Sequence, residues 1–194
     1  MKTFLPAVRL LLALTFLTGI VYPLLITGIA HELFPRQAGG SLLASHGRIV
    51  GSALLAEKFS SNKYFWPRPS AGDDGTNYVA VPSSASNFGP TSSNLVATAQ
   101  SRLTAFKRAN GLESNAPVPA EMVFASGSGL DPDISPEAAR LQINRVAAAR
   151  NFSQEQKRAL SNLVHREIEP PQFGFLGEPR VNVLLLNLAL DSIK

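Results

Sequence analysis

The chain has 194 residues, no cysteine, 16% charged residues and a formal net charge of +4. Absent cysteine excludes disulfides, thiolate metal sites and a cysteine-linked lipid anchor. The modest charge, with no Lys/Arg cluster interleaved with aromatics, speaks against nucleic acid as a partner. The slightly positive mean hydropathy and the low charge content point to a chain partly in contact with lipid.

That apolar excess lies at the start. "LLLALTFLTGIVYPLLITGIA", residues 10 to 30, holds no charged side chain. As a helix it would be about 32 Å long, against a hydrocarbon core of about 30 Å. Lys2 and Arg9 precede it, and His31 and Glu32 follow. The one-sided positive charge puts residues 1–9 in the cytoplasm and residues 31–194 outside. A cleaved signal peptide is the rival reading. It calls for a shorter apolar core and a small-residue cleavage site, and "ITGIAHEL" offers no clean A-x-A. We therefore read 10–30 as an uncleaved single span. Pro23 should kink it. Gly19 and Gly28 offer small surfaces to a neighbouring helix. Thr15, Thr18 and Thr27 can bond back to their own backbone.

Residues 31–194 carry 16 Lys/Arg and 14 Asp/Glu, a net +2. "FPRQAGGSL" (34–42) reads as a linker. "GRIVGSALLAEKF" reads as a brief strand, a Ser52 cap and a two-turn helix to Phe59. A long segment rich in proline and glycine follows, from Tyr64 to Asn94. Tyr64, Phe65, Trp66, Tyr78 and Phe88 need burial, so we read it as ordered turns. Arg68, held between two prolines on a stiff backbone, is either solvated over Trp66 or a partner contact. Ser93 or Asn94 should cap a helix to Ala109, with Leu95, Val96, Ala99, Leu103 and Phe106 on one face and Asn110-Gly111 ending it. "EMVFA" (121–125) reads as a short strand.

"ASGSGLDPDISPEAA" (125–139) leads into a well-signalled helix: Ser135 as cap, Pro136 at the first helical position and Glu137 in the first turn. That helix should run to about Arg150. Ser153 and Gln156 form a capping box for the next, which ends before Pro170-Pro171. "RVNVLLLNLALD" (180–191) reads as a closing strand buried on both faces. The expected fold is α+β: one transmembrane helix followed by a mixed domain with a small sheet.

The Ser126-Gly127-Ser128-Gly129 loop raises the question of chemistry. No lysine follows Gly129, so a Walker loop is not matched, and Asp131 and Asp133 would repel phosphate. The nucleophile pattern G-x-S-x-G is also absent, although Ser126 or Ser128 could be paired with His165 and Asp131. His31, His46 and His165 are scattered, without acidic residues at ligand spacing. On these residues the loop reads as a tight corner before a capped helix.

"FWPRPSA" (65–71), the 125–139 stretch, "RVAAAR" (145–150) and "GFLGEPRVNVLLLNLALD" (174–191) together resemble the C subunit of the bacterial Kdp potassium-transporting P-type ATPase, over the whole chain. The sequence departs from the family pattern at Ser83–Asn87, where S-G-G-S-N is usual, and at Asp133, where histidine is common. The resemblance implies a non-catalytic accessory subunit of a high-affinity potassium uptake pump, single-pass in the inner membrane with its main domain in the periplasm. Its implied partners are a channel-like potassium-translocating subunit, an ATP-hydrolysing subunit carrying the catalytic aspartate, and a small peptide subunit. ATP and potassium are then used by the complex, with neither assigned to this chain. The family is described as a catalytic chaperone that raises ATP affinity. Its Ser/Gly loop is likened to an ABC-transporter signature, which makes Ser126, Gly127, Ser128 and Gly129 the implied nucleotide loop. The topology puts that loop opposite to cytoplasmic ATP, so a structural corner is the first reading and nucleotide contact the second. Gly19, Pro23, Gly28, Trp66 and Arg68 are the expected partner interface. The alternative function is a stand-alone anchored enzyme or binding protein of the envelope.

Overall fold

The computed structural model describes residues 3–73 and 83–193. Tyr78 and the centre of the Pro/Gly-rich segment lie outside them. The chain divides into two compact units, residues 1–42 and 43–194.

The first unit is one apolar helix from Phe4 to Leu33, long enough to cross a bilayer, and a short helix after it. The long helix comprises α1 (Phe4–Phe16), a π-helical turn (Leu17–Val21) and α2 (Tyr22–Leu33). The π turn sits where Pro23 acts. Proline has no N–H to give the carbonyl four residues back, at Gly19, and its ring crowds that carbonyl, so the ladder widens there. Thr18 Oγ1 donates to the Leu14 carbonyl at 2.7 Å, the expected back-bond. No residue of α1, the π turn or α2 is buried. Part of the expected linker is helical, as α3 (Pro35–Ala38).

β1 (Leu42–Ser45), which starts at the last residue of the first unit, and β2 (Arg48–Ser52) form a two-stranded sheet joined through His46 and Gly47. Both turn residues have positive φ, +50° and +77°, as a two-residue hairpin turn matched to strand twist requires. Then come α4 (Ser93–Asn110), β3 (Asp133–Ile134), α5 (Pro136–Ala149), α6 (Gln154–Arg166), β4 (Ile168–Glu169), β5 (Arg180–Asn182) and α7 (Val183–Leu190). The second sheet has the order β3-β5-β4, antiparallel throughout, with Val181 opposite both Ile134 and Ile168. The expected α+β class is what the chain adopts. Its core lies between this sheet and α5, α6 and α7, around Phe65, Val146, Leu160, Val181 and Leu186, each fully buried.

The helix signals acted much as expected. Ser135 Oγ accepts from Ala138 N, and the Ser153/Gln156 capping box is complete. Gly111 ends α4 in the left-handed conformation, while Ser92, one residue before the expected caps, closes its start.

Three expected elements differ. No helix follows Ser52. Its hydroxyl accepts from Leu54 N at 3.1 Å and closes one turn, but Ala56 N then donates to the Leu130 carbonyl at 3.0 Å. That tertiary bond draws the chain away from a helix that propensity alone would favour. The segment "EMVFA" is no strand: Ala120–Met122 is a 3₁₀ turn, and the Val123 and Phe124 N–H groups bond back to Ala120. The closing strand stops at Asn182, whose side chain accepts from Leu185 N at 3.1 Å and starts α7. Val183, Leu186, Asn187 and Leu190 are buried at helical spacing. Burial nearly all round hid that period behind a run of leucines. Of the aromatics expected to be buried, Phe65 is, Tyr64 and Trp66 are half-buried, and Phe88 is exposed.

Candidate functional site

The Ser/Gly loop is a braced corner. Gly129 has φ +71°, and a Cβ there would lie 2.7 Å from the Ser84 carbonyl oxygen and 3.2 Å from Ser70 Oγ. Only glycine fits that approach. Gly127 has open space around it. The loop's polar groups largely satisfy one another. Gly129 N donates to the Ser126 carbonyl at 3.2 Å. Ser128 Oγ accepts from Leu130 N at 3.1 Å, and Ser126 Oγ from Asp131 N at 3.4 Å. Ser83 Oγ donates to the Ser128 carbonyl at 2.7 Å, so the segment that departs from the family pattern is the loop's own neighbour. A phosphate cradle presents free N–H groups to its ligand; three of these are engaged within the loop.

Arg68 belongs to this corner. Its Nη1 donates to Asp131 Oδ2 at 2.6 Å, and Asp131 Oδ1 accepts from Asp133 N at 3.0 Å. Arg180 reaches Asp133 at 3.1 Å and Glu169 at 2.7 Å. Arg68, Asp131, Asp133 and Arg180 line a polar cleft of about 370 Å³, together with Glu121, Ser135 and Glu178. Four carboxylates against two guanidiniums leave it formally acidic. Burial pushes the Asp133 carboxyl above its ordinary range, against the opposing pull of Arg180. Such a cleft favours cationic groups and disfavours phosphates.

Trp66 sits elsewhere, on a clamp that sequence reasoning missed. The extended residues 65 and 66 are held as if in a sheet, but by side-chain amides. Asn187 of α7 accepts from Phe65 N at 2.8 Å and donates to the Phe65 carbonyl at 3.0 Å. Gln142 of α5 does the same for Trp66, at 2.8 and 3.2 Å. Arg145 ties the arrangement together. It donates to Gln142 Oε1 (2.6 Å), to the carbonyls of Asn62 and Tyr64 (both 2.9 Å) and to Asn110 Oδ1 (3.0 Å). Its guanidinium lies 4.0 Å from the centre of the Trp66 ring. Burial lowers the Arg145 pKa to about 10, which leaves it charged at neutral pH. The Trp66 indole N–H donates to the Ser61 carbonyl at 3.0 Å. Asn187 inside "LLLNLAL" was the available signal, since an amide in a buried leucine run must find polar partners.

The expected site residues thus fall into three places. Arg68 joins Ser126, Ser128 and Gly129. Trp66 stands on the amide clamp. Gly19, Pro23 and Gly28 lie along the apolar helix, where a Cβ at Gly28 would meet nothing within 4 Å. His31 is on α2, His46 in the β1–β2 turn and His165 on α6. Among the described residues, no three His, Cys, Asp or Glu side chains gather as metal ligands.

Comparison with known proteins gives one family. The family model "KdpC: K+-transporting ATPase, c chain" matches residues 4–192. A protein of Rhodospirillum rubrum named potassium-transporting ATPase KdpC subunit is 52% identical over 192 residues, covering 99% of this chain and 96% of that protein. Proteins of the same name from Methylococcus capsulatus and Geobacter sulfurreducens are 50% and 49% identical, with 98% and 99% of their lengths covered. They cover 98% and 100% of this chain.

Proposed function

The chain belongs to the KdpC family, and on that premise we propose that it is a membrane-anchored, non-catalytic subunit of an ATP-driven potassium pump. It works beside a channel-like potassium-translocating chain, a P-type chain that hydrolyses ATP, and a small peptide chain. The single apolar helix Phe4–Leu33 anchors it in the inner membrane. Lys2 and Arg9 hold the N-terminus in the cytoplasm, and the α+β unit faces the periplasm. Gly19 and Gly28, unencumbered within the chain, let a partner helix approach.

The subunit assists assembly and raises the ATP affinity of the hydrolysing chain indirectly, through docking. The observation that carries this is the state of the Ser/Gly loop: its two hydroxyls and the N–H groups of Gly129, Leu130 and Asp131 are bonded within the corner, beside an acidic cleft. Such a loop shapes the domain that partners grip and leaves nucleotide to the chain that hydrolyses it.

The test is extraction in mild detergent of membranes holding the whole pump, with a tag on this chain. Co-elution of larger polytopic chains is expected; elution alone would favour a stand-alone envelope protein. With the complex in hand, Ser126→Ala and Ser128→Ala should leave the apparent KM for ATP unchanged. A many-fold rise at equal subunit levels would restore direct nucleotide contact. A reporter fused after Lys194 should be active only in the periplasm; cytoplasmic activity would reverse the orientation.

A further inference from the structure

The connection between β4 and β5 carries an apolar tip that the domain does not use. Phe173, Phe175 and Leu176 are 86%, 74% and 49% exposed, the first two more so than any other large apolar residue among the described residues of the second unit. They are held out by a small, well-bonded hairpin. Gln172 and Leu176 exchange both backbone hydrogen bonds at 2.9 Å, and Gly174 N donates to the Pro171 carbonyl at 3.0 Å. Phe173 itself sits at φ +54°, an uncommon and costly conformation for a bulky residue. Gly174 and Gly177, at +82° and +86°, complete the turn. Pro170, Pro171 and Pro179 stiffen its base, and β5, on which it is mounted, has Val181 in the core. The chain therefore spends backbone strain to present two phenyl rings to solvent, where folding gains nothing from them.

The charges around the tip select its occupant. Residues 167–180 hold Glu167, Glu169, Glu178 and Arg180, a net −2. Arg180 is already committed to Asp133 and Glu169. Anionic lipid headgroups attract basic segments, and interfacial anchors carry Lys, Arg and Trp beside their apolar groups. This tip has the opposite rim.

We propose that the 171–177 hairpin is a preformed peg that inserts into an apolar, basic-rimmed recess on the outer face of a larger subunit of the pump. This rests on the accessory-subunit reading above. Phe173 and Phe175 fill the recess, and Glu178 meets its basic rim. The rigid hairpin loses little freedom on docking, so the burial of two aromatic rings is realised almost in full.

The full chain is tested within its pump. Phe173→Ser with Phe175→Ser should lower the yield of large subunits recovered on the tagged chain at least tenfold, at equal chain levels. Should that double variant fail to fold, Phe173→Gly decides. It removes a ring while relieving the positive φ, so the melting temperature should hold or rise while recovery falls severalfold. The chain has no cysteine, so Phe175→Cys accepts a photoreactive maleimide at one place. Irradiation should join it to a larger subunit. Adducts with lipid or with a second copy of this chain would overturn the proposal, as would unchanged recovery from folded variants. Failure of the unaltered chain to bring any large subunit would instead overturn the accessory-subunit reading on which the proposal rests.

Discussion

Two segments of this domain are rich in aromatics and stiffened by proline, and they behave oppositely. Residues 64–69, "YFWPRP", turn inward: Phe65 is fully buried and Trp66 lies under Arg145. Residues 170–177, "PPQFGFLG", turn outward with both phenyl rings in solvent. Composition does not separate them. The difference lies in what meets their backbones. Asn187 and Gln142 offer the first segment a complete set of buried hydrogen-bond partners, so its aromatics can be carried into the core without stranding polar groups. The second satisfies its backbone locally, across a two-residue bridge, and has no need of the core. An aromatic, proline-rich stretch is thus an interface signal only where the backbone is self-sufficient. By that criterion Trp66 is a half-buried residue tied to the core and Phe173 an external one.

The comparison breaks most readily at the clamp. Asn187→Leu keeps the volume but strands the Phe65 N–H and carbonyl, at a cost of about 3 kcal/mol for two buried unpaired groups. Urea denaturation of the full chain in detergent should show a lower midpoint, with Trp66 fluorescence reporting a solvent-exposed indole before global unfolding. A midpoint within error of the parent would mean that the clamp does not hold the inner segment.

Gly129→Val comes next, testing whether the Ser/Gly corner is equally over-determined. The new side chain meets the Ser84 carbonyl at 2.7 Å in a left-handed backbone, and about 2 kcal/mol should be lost. The level of folded subunit should fall. Gly127→Ala, with open space around it, should cost well under half as much. Equal losses at the two glycines would refute the steric account.

At the outer segment the sign reverses. Phe173→Gly relieves a left-handed phenylalanine and should raise stability by up to about 1 kcal/mol, offset in part by the entropy of glycine in the unfolded chain. A clear drop in melting temperature would show that the exposed ring contributes to the fold after all.

The smallest effect concerns Asp133. Its folded pKa is raised by burial, so the folded state holds this proton more readily than the unfolded state does. The ionised group is then a cost at neutral pH, relieved as pH falls through its folded pKa toward the ordinary value of 3.8. Asp133→Asn should be at least as stable as the parent at pH 7, and the difference should shrink on acidification. A variant that is less stable at neutral pH would show that the Arg180 pairing outweighs desolvation.

Local chemistry alone determined the apolar helix and the starts of α5 and α6. A run without charges, a Ser-Pro-Glu start and a Ser/Gln capping box act within one or two turns, so they read the same in any context. The family was legible too, because four motifs recur in order along the whole chain. Tertiary structure alone decided the fate of "SALLAEKF", "EMVFA" and "VNVLLLNLAL". Each is a short apolar run that suits helix or strand alike. For the first and last the outcome hung on a partner far along the chain, the Leu130 carbonyl for Ala56 and the Phe65 backbone for Asn187, while "EMVFA" closed back on Ala120. The candidate site divides in the same way. The glycine corner was visible as a corner, since Gly129 must adopt what other residues resist. That Arg68 would close on Asp131 and that Trp66 would be held beneath Arg145 depended on long-range hydrogen bonds and charge pairs, which no local pattern encodes.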